Sequence, residues 1–446
     1  MERSAELLVG NGRLITHDEH LPYLENGCVA VRDGLIVAVG RTAELRHAHR
    51  AARFVDAEGG LILPGLINAH THLARIFARG LRPRGRAPTN FIQVLERVWW
   101  RLDKALTLDA VYWSAMAGML ESIRNGVTTI FDQHSSPNAV AGSLFRIAEA
   151  SCMAGVRSCL CYEVSDRDGE ETAVRAIAEN RSHLEFCAKS ENQLHRGLVG
   201  ADASFKLSDR TLSHCADLAR EFGAGFHVHT AETLSEVAAC EHDHGERIVE
   251  RWREFGVLGP KTLAADCVHV NEHEIELLAA SHTSVVHNPG ANMISAAGAA
   301  PVEEMVRRGV LVGLGTGGFT ADMFESMKTA YLLLRHASSN PGGGWCEPQM
   351  LFQANAAIAG ECFGQTIGKL VPGAVADVIV ADYSAPTPFT AANLDPHLLF
   401  GMSGRAVTST IVGGEVLMEK CQFLTIDESE VMAKARASAA EVWKRL

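Results

Sequence analysis

The chain has 446 residues, 47% of them hydrophobic and 21% charged, and 41 Lys+Arg against 53 Asp+Glu give a formal net charge of −12. This is the composition of a soluble globular protein, and the length calls for one large α/β domain with a lesser one beside it. No basic run of five or more residues occurs, so nucleic acid and anionic membrane surfaces are not expected partners.

The opening stretch "MERSAELLVGNGRLITHDEH" lacks the charged start, apolar segment and small-residue cleavage site of a secretory signal. No apolar run approaches the ~18 residues of a membrane span. Eleven cysteines, an odd number without paired CxxC spacing, suit free thiols in a reducing cytoplasm better than disulfides. A cytoplasmic location is therefore expected.

Strand-like segments come first, within residues 5–62. There "ELLVGNGRLITH", "CVAVRDGLIVAVG" and "RFVDAEGGLILPG" are punctuated by the hairpin dipeptides NG, DG and GG. Eight apolar strand runs then alternate with helical patterns. They are "LINAH" (66–70), "VTTIFD" (127–132), "VRSCLCYE" (156–163), "RGLVGADA" (196–203), "AGFHVHTAE" (224–232), "TLAADCVHV" (262–270), "TSVVHN" (283–288) and "VLVGLGT" (310–316). Eight buried strands with intervening helices predict a (β/α)8 barrel, a TIM-like α/β fold whose chemistry gathers at the strands' C-terminal ends. A doubly wound sheet would suit the same spacing, but no GxGxxG opens a helix near the start.

Strand patterns return at 370–426 with "ADVIVADY" and "TSTIVGGEVLMEK". They are expected to pair with the N-terminal set in a small β-sandwich, since neither set alone buries much. The tail "IDESEVMAKARASAAEVWKRL" predicts an amphipathic closing helix, acidic in its first turn and basic in its last. The expected division is 1–62 and 370–426 for the two parts of the sandwich, 63–369 for the barrel and 427–446 for the helix.

Chemistry enters at "LPGLINAHTHL", which places His70 and His72 two apart at the end of the first barrel strand. Residues i and i+2 of a strand point to one side, so both imidazoles can converge on one ion. A single histidine there would read as core; a pair behind Pro-Gly at the barrel mouth reads as metal ligands. "GFHVHTAE" repeats the arrangement at strand five with His227 and His229, and Glu232 follows His229 by three residues. His229 is placed to ligate and Glu232 to shuttle protons; the plainer alternative for Glu232 is a solvated acid opening the next helix. His227 lies deeper and is read as support or core. The arginine-rich loop "FARGLRPRGRAP" (77–88) follows strand one, either as a clamp for an anionic substrate or as a solvated lid.

Together with "WWRLDKALTL", "CYEVSDRDGEE", "VVHNP", "DMFESMK" and "LFGMSGRAV", these motifs resemble the amidohydrolase superfamily over essentially the whole chain. The likeness is to its cytosine-deaminase-like and chlorohydrolase branch, nearest the aminohydrolases called SsnA. The resemblance implies a metal-dependent hydrolase acting on non-peptide C–N bonds of a small cyclic amidine or amide, purine-like heterocycles included. It implies a small-molecule substrate, a homodimer and one divalent ion, zinc first, with iron or manganese as alternatives. His70, His72 and His229 take the positions of its histidine ligands, and Glu232 that of its proton-shuttling glutamate.

The chain departs from that pattern at three strand ends. Asp266 stands where strand six carries the first histidine of a His-Cys-x-His motif, whereas His269 keeps the second. Asp202 replaces a histidine after strand four, and Gly317 replaces the strand-eight aspartate that binds metal and moves a proton. Asp266 is therefore the expected substitute for the lost catalytic acid, with Asp202 and His269 as substrate-binding candidates. The plainer reading of both aspartates is a salt bridge to a nearby arginine. Restoring the family pattern is expected to need Gly317→Asp together with Asp266→His. The alternative function is a non-hydrolytic enzyme or a pseudoenzyme descended from an aminohydrolase, because glycine can neither bind metal nor take a proton.

Overall fold

The eight apolar runs are buried on both faces, as strands covered by helices must be. A computed structural model of the chain describes residues 3–82, 85–190, 194–342 and 346–446; Pro83 and Arg84 of the arginine-rich stretch lie outside these. The first four barrel strands are Leu66–Thr71, Val127–His134, Arg157–Tyr162 and a broken fourth, His195–Gly197 with Val199–Ala201. Phe226–Thr230, Leu263–Asp266, Ser284–His287 and Val312–Leu314 complete the set. Strands one to four pair in parallel up to the break, and the second half of strand four continues the order to strand eight.

Hydrogen bonds at two seams join these arcs into a barrel. Val164, just past the third strand, bridges Ala201. Opposite, the His70 carbonyl oxygen accepts from the Thr316 and Gly317 amides at 2.9 and 3.1 Å. The second seam therefore runs through one of the histidines that the sequence marks as a ligand. Near the strands' beginnings, Ile358 and Phe363 of the helix Asn355–Phe363 share a buried cluster with Ile67, Phe131, Leu198 and Leu263. That plug leaves the opposite end of the barrel for the site.

Strands from both ends of the chain form one continuous nine-stranded sheet. Val378–Ala381 runs antiparallel to Leu61–Pro64, with Val378 opposite Pro64. The sheet folds over its own apolar cluster of Val9, Val29, Ile36, Val378, Val380 and Ile411. It returns on itself where Leu35 pairs with Val375. The Asp33-Gly34 turn makes this return possible, with φ of 51° and 72°, because two successive positive φ values favour such residues. The tail helix Glu428–Lys444, capped by the Asp427 side chain, lies along the first barrel helix, Leu108–Arg124. All eleven cysteines are free, and no described helix is long and apolar enough to cross a membrane.

One buried ion pair ties the sheet to the barrel. The Arg157 side chain on strand three, 3% exposed, pairs with Asp377, 0% exposed. The second Asp377 oxygen accepts from the Gly413 amide at 2.8 Å. Removing one partner strands the other charge in the interior. Asp377→Ala is therefore expected to cost about 3–5 kcal/mol in urea denaturation, whereas Arg157→Met with Asp377→Leu should recover most of that loss. A single-variant loss below about 1 kcal/mol would show that the pair is solvated.

Candidate metal centre

Strand one delivers His70 and His72, and strand five delivers His229, to one buried point at the barrel mouth. One nitrogen from each ring can be chosen so that all three lie within 4.8 Å of one another. In each ring Nδ1 is already engaged. It lies 2.7 Å from His227 Nε2 for His70, 2.7 Å from the Gln133 carbonyl oxygen for His72, and 2.9 Å from Asp266 Oδ2 for His229. These contacts leave the Nε2 lone pairs for a common centre, and His72 Nε2 is buried without a partner. A divalent ion fits this donor set: three imidazoles, each oriented by a group behind it, with room for a further ligand. The expectation that His227 supports the site matches its contact with His70.

Burial drives His70 and His72 well below the ordinary histidine pKa, with neighbouring His72 acting further on His70 and Arg75 on His72. Both rings are neutral, as ligation requires. For His229 burial acts in the same direction, but the hydrogen bond and charge of Asp266 overcome it and raise the imidazole to about 9. Asp266 is correspondingly held below the usual carboxylate range: burial opposes this, and the His229, Asn288 and Asn292 hydrogen bonds prevail.

Asp266 has both oxygens occupied. Oδ2 faces His229, and Oδ1 accepts from Asn288 Nδ2 and Asn292 Nδ2, each at 3.0 Å. Its backbone is strained: Ala231, Asp266 and Cys267 at the ends of strands five and six have φ of 49°, 77° and 48°. Non-glycine residues rarely hold such angles unless their surroundings enforce them. This arrangement suits a group that orients His229 more than one that exchanges protons with substrate. Glu232 lines the cavity beside His229. Burial and the Asp266 charge raise its carboxyl to about 8, against the opposing pull of His229 and Arg75.

Asp202 also lines the cavity, 2.6 Å from Lys206 Nζ. The plainer expectation of a salt bridge applies, with lysine in place of arginine. Burial would raise its carboxyl, but Lys206 and Arg167 hold it far down. Beside it Glu163 is raised to about 7 by burial and by the Asp202 charge. His269 is not among the cavity-lining residues; its Nε2 lies 2.7 Å from the Ala297 carbonyl oxygen.

The structure also gathers residues that the sequence reading passed over, notably Arg75, Trp99, Trp100, Glu163, Arg167 and Lys206. Arg75 was visible three places beyond His72, and the tryptophans stood side by side in "WWRLDK". Their convergence was not visible, because it depends on how the segment after strand one folds across the mouth. Gly317 has φ of +61° and its carbonyl oxygen accepts from Arg75 Nη1 at 2.8 Å. A Cβ at 317 would lie 2.6 Å from Ala291 Cβ. The expected route back to the family pattern, Gly317→Asp with Asp266→His, thus leaves out a third obstacle, Ala291.

Residues 61–417 match the amidohydrolase family, and residues 27–52 match an imidazolonepropionase-like composite domain of bacteria. A 5'-deoxyadenosine deaminase of Methanosarcina mazei is 30% identical over 99% of both chains. A 5-methylthioadenosine/S-adenosylhomocysteine deaminase of Nitratidesulfovibrio vulgaris is 32% identical over 98% of this chain and 97% of its own. Among solved structures, an adenosine deaminase from Xanthomonas campestris with bound zinc superposes with a TM-score of 0.88 at 24% identity, covering 99% of each chain. A zinc complex of atrazine chlorohydrolase from Arthrobacter aurescens gives 0.80 at 22% identity, over 97% of this chain and 100% of the other. These two likenesses establish the fold.

Two substitutions test the packing of the site. Gly317→Asp is expected to lower stability by about 1–3 kcal/mol through overpacking, and Ala291→Gly added to it should recover part of the loss in urea denaturation. A Gly317→Asp protein as stable as the parent would show that the loop yields. Asp266→Asn should weaken zinc binding about 10- to 100-fold in competition with a chelating dye, because His229 loses its charged partner; unchanged affinity would remove Asp266 from the centre.

Proposed function

The chain belongs to the amidohydrolase family, and we propose that it is a metal-dependent hydrolase of C–N bonds in a small cyclic amidine or amide, purine-like heterocycles included. One observation carries the reading: three imidazoles, each held at Nδ1 from behind, bring ring nitrogens within 4.8 Å of one another in a cavity that Glu232 also lines. The deaminase names of relatives matching nearly the whole chain support the bond type, and the zinc in two structural neighbours supports zinc as the ion. Iron or manganese suits the same donors.

When bound, the ion supplies Lewis acidity that makes water nucleophilic near neutral pH. Glu232, on the loop after strand five, takes the proton from the attacking water in its ionised form, which its raised carboxyl leaves as the minor one near neutral pH, and returns it to the leaving nitrogen. Asp266 does not move protons in this scheme; it keeps the His229 ring in the orientation and tautomer that expose Nε2. Because Gly317 offers no carboxylate, this scheme assigns the protons to Glu232, and turnover should be slow for the family. Eleven free thiols support a cytoplasmic location. The family resemblance supports a homodimer.

Metal analysis and an ammonia-release assay on adenosine-, guanine-, cytosine- and triazine-type compounds test the reading. The zinc-loaded protein should hold about one ion and turn over below about 1 per second, the low end for enzymes. Glu232→Gln should keep the ion and lose about 10²- to 10⁴-fold in rate. His70→Ala with His72→Ala should lose both ion and activity. A protein that stays metal-free in added zinc, iron and manganese, or a Glu232→Gln variant of parental rate, would overturn the assignment.

A further inference from the structure

Arg75 is the cavity's unusual charge. It sits on the short turn Leu73–Ala78 directly after the ligand strand, and its side chain lines the cavity with His70, His72, His229 and Glu232. Two contacts fix the guanidinium. Nη1 donates to the Gly317 carbonyl oxygen at 2.8 Å, and the group lies over the Trp99 ring, 4.8 Å from its centroid. The other cations of the cavity are occupied: Arg167 pairs with Asp103 at 2.6 Å and with Asp168 at 3.0 Å, and Lys206 with Asp202 at 2.6 Å. Among the described residues, no carboxylate oxygen lies within 4.0 Å of Arg75. Glu232, the acid that acts on it most strongly, is beyond that reach. A guanidinium carries five donors in a planar fork, and the Gly317 carbonyl takes one.

Gly317 explains why the fork is open. A Cβ there would stand 3.9 Å from Arg75 Nη1, so an aspartate side chain at 317 would lie against the guanidinium and compete for it. With glycine, an oxyanion from outside can take that place.

We infer that Arg75 binds an oxyanion of the substrate, so that the molecule hydrolysed is a small amino-heterocycle bearing a carboxylate held by the guanidinium fork beside Glu232. The inference rests on the hydrolase reading for the meaning of "substrate", yet its test is a binding measurement independent of turnover. Arg–carboxylate pairs bind through two parallel hydrogen bonds, and a neutral isostere cannot reproduce that.

Zinc-loaded protein is titrated calorimetrically with aminopyrimidine carboxylates and their carboxamides, the acid group being moved around the ring. Inorganic phosphate and adenosine 5'-monophosphate against adenosine form the parallel arm. At least one carboxylate should bind about 30-fold or more tightly than its carboxamide, the range for a buried charge pair. Arg75→Met should abolish that preference while leaving carboxamide binding within about threefold, and Arg75→Lys should restore part of it. Retained zinc stoichiometry confirms that both variants are folded. Should Arg75→Met fail to fold, the parent and Arg75→Lys still decide the matter.

Preference for phosphate esters with no preference for carboxylates would overturn the assignment of the carboxylate, and the absence of any Arg75-dependent anion preference would overturn the whole inference. Rapid ammonia release from neutral rings without anion binding would sink this inference and leave the hydrolase reading intact. Strong, Arg75-dependent carboxylate binding without ammonia release from any compound would do the reverse.

Discussion

An imidazole presents a lone pair at a fixed point only when its other nitrogen is held, and the contact from His229 Nδ1 to Asp266 Oδ2 secures that condition at strand five. The contact brings a chain of consequences. Asp266 reaches His229 from the end of strand six, where its backbone has φ of 77°. Asn288 and Asn292, from the end of strand seven and the helix after it, then hold the carboxylate's second oxygen. Three successive βα connections are thereby committed to the orientation of one ring. A histidine at 266 could not do this in the same way, since a neutral ring offers one acceptor where the carboxylate accepts three hydrogen bonds here.

The opposite side of the mouth is built without a side chain at its centre. The barrel closes between strands eight and one through the His70 carbonyl oxygen and the amides of Thr316 and Gly317, so closure needs no side chain at 317. Glycine adopts the left-handed conformation there freely, and Ala291 has filled the space a side chain would need. Arg75 donates to the Gly317 carbonyl oxygen there.

The parts far from the chemistry hold the mouth in register. Trp443 of the tail helix donates from Nε1 to the Phe77 carbonyl oxygen at 2.7 Å, on the same turn that carries Arg75. The amide of Leu73, at the start of that turn, donates to Asp132 Oδ1 at 2.7 Å, so strand two anchors its other end. Arg157 and Asp377 join strand three to the sheet built from both ends of the chain. Each of these contacts spans a long interval of sequence, and the first two hold the turn Leu73–Ala78 over the cavity.

Much of this architecture was legible in the residues alone, because strands buried on both faces must be apolar along their whole length and the helices between them must repeat at 3.6 residues. The histidine pair at 70 and 72, and His229 with Glu232, were readable for a related reason: a strand fixes the direction of i and i+2, so local spacing is already geometry. What spacing could not express was everything held across the barrel. That Asp266 faces His229 and two asparagines, that His269 turns to Ala297, and that Arg75 meets Gly317 some 240 residues away are facts of closure. Chain order sets which residues lie at the strand ends, but only the closed ring brings those ends within hydrogen-bond distance, and hydrogen bonds and charges act over a few ångströms of space rather than along the chain.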